Sequence, residues 1–124
     1  MTPEEKTVRE FVTTFNRSEL DSFVELLDPE VEIRGMKGLF RGRDRARAWA
    51  TKTPGGVQQT VLVESCEQAG NRVLLEVKRE WRWEDSGELA YVDELTWFFE
   101  LRDSKVLIWQ PFADRQEARA TFES

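Results

Sequence analysis

The chain contains no histidine among its 124 residues. This absence rules out serine or cysteine triads with an imidazole base, and it removes the commonest zinc ligand. Proton transfer would have to use Asp, Glu, Tyr, Lys, Cys or water. Cysteine is nearly absent too: Cys66 stands alone and cannot form an internal disulfide. Basic charge is scarce relative to acid, with a formal net charge of -6. A nucleic acid or an anionic membrane is therefore not expected as a partner, since either calls for a basic face. No apolar run approaches the length of a membrane span, and no signal peptide is read before the first helix. The expectation is a cytoplasmic protein without metal or cofactor. There is no internal repeat and no low-complexity segment. The length fits one domain, residues 1–124, and the apolar (40%) and charged (34%) fractions are those of a soluble globular chain.

What is present is concentrated between Asn71 and Leu101. This stretch reads as two long strands joined by a turn at Asp85-Ser86-Gly87. Val73, Leu75, Val77, Arg79, Trp81 and Trp83 alternate with Glu76, Lys78, Glu80 and Arg82. The second strand repeats the pattern with Leu89, Tyr91, Asp93, Leu95, Trp97, Phe99 and Leu101. Period-2 alternation marks half-buried strands, and a slip of one residue would turn every aromatic outward. A three-residue turn pairing Glu84 with Glu88 sets Arg79 opposite Asp93 and Trp81 opposite Tyr91. The two charges on the apolar face then meet.

Around this hairpin the chain reads as helices first and strands afterwards. Thr2-Pro3-Glu4-Glu5 opens a helix, with a capping residue, a proline at the first helical position and a capping box. Val8, Phe11, Val12 and Phe15 form its apolar stripe. A second helix starts at Ser18, buries Leu20, Phe23, Val24 and Leu27, and ends at Asp28-Pro29. Val31 to Gly35 is a short strand, and Leu39 to Arg41 is its return. A third helix carries Ala46, Trp49 and Ala50. Thr53-Pro54-Gly55-Gly56 breaks the chain. Strands follow at Val57 to Glu67, in the hairpin, and at Lys105 to Phe112. Asp114 caps a short last helix through Ala118 and Phe122. Helices segregated to one face of a mostly antiparallel sheet make an α+β fold.

Several motifs, taken in order, resemble the nuclear transport factor 2-like superfamily in its SnoaL-like branch. They are Leu27-Asp28-Pro29-Glu30-Val31-Glu32, Phe40-x-Gly42-Arg43-Asp44 ahead of Trp49, Phe98-Phe99, Ser104-Lys105-Val106 and Phe112-x-Asp114. The resemblance covers nearly the whole chain. It implies a cystatin-like cone: three N-terminal helices on a curved sheet, with a pocket at the wide end. It also implies a small-molecule ligand, since members include polyketide cyclases, ketosteroid isomerases, epoxide hydrolases and dehydratases. Others have no demonstrated chemistry, so fold alone does not give function. Isomerase-like members place a base aspartate where this chain has Ile33, which argues against that chemistry. Ser104 stands where many members have glycine.

The candidate site follows from the hairpin. Asp93 is the best acid or base, Arg79 orients it or binds a substrate oxygen, and Tyr91 is a hydrogen-bond donor; the alternative is a structural ion pair. Trp49, Trp81, Trp83 and Trp97 are candidates to line a pocket for a flat hydrophobic molecule, with core packing as the alternative. Gln110 is a candidate hydrogen-bonder, although strand 105–112 is apolar on both faces and its facing is open. Glu32 and Arg34 read as a solvated face, Asp114 as a cap, and Cys66 as a half-buried filler. If Val106, Ile108 and Phe112 face inward, Leu107 and Trp109 join Val92 and Phe98 in an outward apolar patch. That patch suggests a homodimer through the convex sheet face. The leading expectation is a hydrophobic-ligand binder of the SnoaL-like type with possible cofactor-free acid/base chemistry. The competing one is a non-catalytic ligand-binding or dimerisation module.

Overall fold

In the computed structural model, which describes residues 1–51 and 56–124, one six-stranded sheet carries the fold. The element order is α1 (Pro3–Asn16), α2 (Leu20–Glu25), β1 (Leu27–Gly35), β2 (Gly38–Arg41), α3 (Arg43–Thr51), β3 (Val57–Ala69), β4 (Arg72–Trp83), β5 (Leu89–Arg102), β6 (Lys105–Phe112) and α4 (Arg115–Glu123). The strands lie side by side as β2-β1-β6-β5-β4-β3. All neighbours are antiparallel except β1 and β6, which run parallel. The fold is α+β, as the order of helices and strands implied. The expected break at Thr53-Pro54-Gly55-Gly56 lies outside the described residues apart from Gly56.

Alternation explains which face is inside. Val73, Leu75 and Val77 of β4 meet Phe99, Trp97 and Leu95 of β5, and all six are buried. Val8, Phe11 and Val12 of α1 and Phe23 of α2 close over them. Phe11 is fully enclosed, with ring centroids 4.8 Å from Phe23 and 5.1 Å from Phe99. Thr2 caps α1 as its sequence suggests, accepting from the Glu5 amide at 3.1 Å. Asn16, at the end of α1, donates to the Val61 carbonyl and accepts from the Val61 amide, both at 2.8 Å. Its side-chain amide thus imitates a strand partner on the free edge of β3.

The second helix is shorter than its hydrophobic pattern suggests. Ser18 adopts a left-handed backbone (φ 53°), so the helix starts at Leu20. It ends at Glu25, and Leu27 already belongs to β1, opposite Val106 of β6. Leu27 is fully buried as expected, but from a strand. Asp28 then accepts from Arg102 Nε at 3.0 Å, from Arg102 Nη2 at 2.7 Å and from the Glu30 amide at 2.8 Å.

The Arg102 guanidinium holds the Asp28 carboxyl below its ordinary value of 3.8, against the opposing effect of burial. The folded state therefore binds this proton more weakly than the unfolded chain. The resulting stability is present above the ordinary value and is lost as pH falls below it. Asp28→Asn is expected to cost about 1–2 kcal/mol near neutral pH. Urea titrations should show the gap from wild type closing below about pH 4; a gap independent of pH would contradict an ionic origin.

Two expectations about the outer face need correction. First, the register shifts between Glu100 and Leu101: Leu101 pairs with Val106 but Glu100 pairs with Ile108. Leu107 is the extra residue of a bulge, which reverses parity along β6. Val106 and Trp109 therefore share the inner face, and Ile108 and Phe112 face outward. Second, α4 docks on the outer face, where Ala118 and Phe122 bury Leu74 and Phe98. The apolar patch of Leu107, Trp109, Val92 and Phe98 does not form, because Trp109 is interior and Phe98 lies under α4. No helix among the described residues is long and apolar enough to cross a membrane.

Candidate functional site

The inner face of the sheet is filled by core side chains at one end and opens into a cavity of about 660 Å³ at the other. Its aromatic walls come from separate elements. Trp81 and Trp97 project from β4 and β5, Trp109 from β6, and Trp49 from α3. Trp97 and Trp109 meet edge to face at 5.1 Å, while Trp49 lies 4.7 Å from Trp109 and stacks on Phe15 at 5.5 Å. The start of α3 is fixed to β1: Arg43 donates from Nε and Nη2 to the Leu27 carbonyl at 2.9 and 2.6 Å. Ala46 packs without exposure one turn later, and this carries Trp49 over the cavity.

The polar groups at the cavity are few. Arg79, Lys37 and Gln59 line it, and among the described lining residues none carries a carboxylate. Arg79 and Asp93 are cross-strand partners, as the alternation and register implied. Arg79 Nε donates to Asp93 Oδ1 at 2.8 Å, and Nη2 donates to Oδ2. Both side chains are about four-fifths buried, at 21% and 19% exposure. The guanidinium carbon also lies 5.3 Å from the Trp81 ring centroid, a cation–π contact. Three further N–H groups are buried inside the walls and are not open to the cavity. The indole N–H groups of Trp81, Trp97 and Trp109 are buried and have no acceptor among the described residues.

Of the residues singled out from sequence, Arg79, Trp49, Trp81 and Trp97 come together at the cavity. Asp93 lies behind Arg79 and is not part of the lining. Tyr91 pairs with Trp81 in the sheet but is 60% exposed and stands outside. Trp83, at the end of β4, is 47% exposed and also outside. The turn there is longer than expected: Ala90 is skipped between the Trp81–Tyr91 and Arg82–Leu89 pairs, and Gly87 takes a left-handed φ of 73°. Gln110 pairs with Phe98, on the face away from the cavity, because of the Leu107 bulge. Glu32 is held by Arg34 and Arg41 at 3.1 and 3.2 Å. Asp114 caps α4 by accepting from the Gln116 amide at 2.8 Å. Cys66 packs against the core, and burial pushes its thiol pKa up.

Gln59 and Lys37 were not found by sequence reasoning. Gln59 had a signal: it shares odd parity with Val61 and Val63 on β3, so it interrupts an inward apolar face opposite Trp81. Lys37 had none, because its place depends on how the β1–β2 turn folds over the cavity. Among the described residues no group of three or more Cys, Asp or Glu side chains is placed to hold a metal ion.

Comparison with known proteins gives a consistent picture. A family model described as a SnoaL-like domain matches residues 8–109. No curated protein matches the sequence. Among solved structures, the chain is similar to an NTF2-like protein of unknown function from Burkholderia pseudomallei, with 17% identity, full coverage of both chains and a TM-score of 0.79. It is also similar to an epoxide hydrolase of the LEH-like type from Mycobacterium tuberculosis, at 17% identity over 98% of this chain and 90% of that one, with a TM-score of 0.76. A putative polyketide cyclase from Xanthomonas campestris shares 19% identity over 95% of each chain, with a TM-score of 0.73. At these identities the likeness is one of fold.

Proposed function

The chain belongs to the SnoaL-like domain family, and on that footing we propose that it binds a flat, largely apolar small molecule in the cone cavity. The observation that carries this reading is the cavity itself. Four tryptophans from four elements surround about 660 Å³ of space that their side chains do not fill. That volume falls within the range of small-molecule sites, about 300–1,000 Å³. Aromatic walls with a few polar groups match what such sites use to hold and orient a ligand.

Binding is favoured over acid/base turnover by the state of Asp93. A general base needs an oxygen within reach of the substrate proton. Both Asp93 oxygens are taken by Arg79, and Asp93 does not line the cavity. Tyr91, the other proposed donor, faces solvent.

The neutral dye N-phenyl-1-naphthylamine suits the test, since its fluorescence rises in apolar surroundings and it can accept energy from tryptophan. Saturable binding at one site per chain, with quenching of tryptophan emission, is expected. A linear, unsaturable response would contradict the proposal.

A further inference from the structure

We propose that the molecule held in this cavity carries an oxyanion, such as a carboxylate, sulfonate or enolate, and that Arg79 is its counter-ion. The inference rests on the binding reading above and specifies the chemistry of the occupant.

Among the described residues, the charged side chains that line the cavity are Arg79 and Lys37, both cations, and none of the lining residues is a carboxylate. Lys37 makes no ion pair among the described residues and is exposed at the β1–β2 turn. Asp93 offsets part of the Arg79 charge but does not occupy all of its donors. It engages the Nε–H and one N–H of Nη2, leaving the rest of the five-donor fork unclaimed by any described acceptor. Arg79 borders the cavity and Asp93 stands behind it, so the carboxylate fixes the guanidinium plane. A fork held in this way loses little further side-chain freedom on meeting an oxyanion, and such charge-assisted bonds are the strong ones. Asp93 is therefore a positioning residue.

The described charged side chains that line the cavity are thus cations in a protein whose overall charge is -6. That negative surface also disfavours adventitious adsorption of organic anions.

The test compares two dyes that differ by one sulfonate: 1-anilinonaphthalene-8-sulfonate and the neutral N-phenyl-1-naphthylamine. The sulfonate is expected to bind wild type about tenfold or more tightly than the neutral dye. In the double variant Arg79→Met with Asp93→Leu, which removes the pair without stranding either charge, that ratio should fall toward one. Far-UV circular dichroism checks that the variant is folded, and the wild-type ratio alone decides the matter if it is not. Equal or tighter binding of the neutral dye overturns the oxyanion inference while leaving the cavity reading intact. A sulfonate preference that survives in a folded double variant overturns the role of Arg79. Failure of both dyes to bind removes the binding reading and this inference with it.

Discussion

Trp109→Glu is expected to abolish the folded state. Trp109 is 4% exposed and sits among Phe11, Trp49 and Trp97, with ring centroids 6.5, 4.7 and 5.1 Å away. Losing an aromatic of this size from a core costs about 3–5 kcal/mol. A carboxylate placed among these rings adds a further desolvation cost. Together these approach the whole stability of a small domain, about 5–15 kcal/mol. Urea unfolding followed by circular dichroism should find no cooperative transition, or one at a much lower midpoint. Leu107→Glu is the control. As the bulged neighbour it is half-buried outside the core, and its cost should stay within about 1 kcal/mol. If Trp109→Glu stays folded and only the association state changes, Trp109 faces outward and β6 has the opposite parity.

Filling the cavity should have the largest effect on binding. Leu95 lies on β5 beside Trp97, pairs with Val77, and lines the cavity while only 8% exposed. In Leu95→Trp the indole has the cavity to extend into. The cost in stability should fall at or below the usual 1–3 kcal/mol of over-packing, because open space lies in front of the side chain. The same indole occupies the volume a ligand needs. Affinity for N-phenyl-1-naphthylamine is expected to drop about thirtyfold or more, a change of about 2 kcal/mol. A folded variant with unchanged affinity would mean that the dye sits elsewhere.

The parts of this molecule that sequence reveals are those where one face is apolar and the other charged. In β4 and β5 a shift of one residue would expose Trp81, Trp97 and Phe99, so the pattern fixes the register and brings Arg79 to Asp93. Strand β6 lacks that contrast. Val106, Leu107, Ile108 and Trp109 are all apolar, either parity is equally hydrophobic, and nothing in the pattern marks the bulge at Leu107. The facing of Gln110 and Trp109 is hidden with it. The last helix shows the same limit. Asp114 and the spacing of Ala118 and Phe122 announce an amphipathic helix, but not that it covers Leu74 and Phe98. The motifs that carry the family resemblance lie on β1, at the β2–α3 junction, on β5, on β6 with the turn before it, and at the cap of α4. The resemblance is silent on Lys37 and Gln59, which belong to this chain's own cavity.

The most direct test of the central claim reads the tryptophans themselves. A proton–nitrogen correlation spectrum contains one indole signal per tryptophan, five in this chain. Assignment follows from single Trp→Phe substitutions. On saturation with N-phenyl-1-naphthylamine, the signals of Trp49, Trp81, Trp97 and Trp109 should shift, because these residues line the cavity. Trp83, exposed at the end of β4, should remain in place. Movement of Trp83 alone, with the other four unchanged, would place the ligand on the surface and contradict a binding cavity inside the cone.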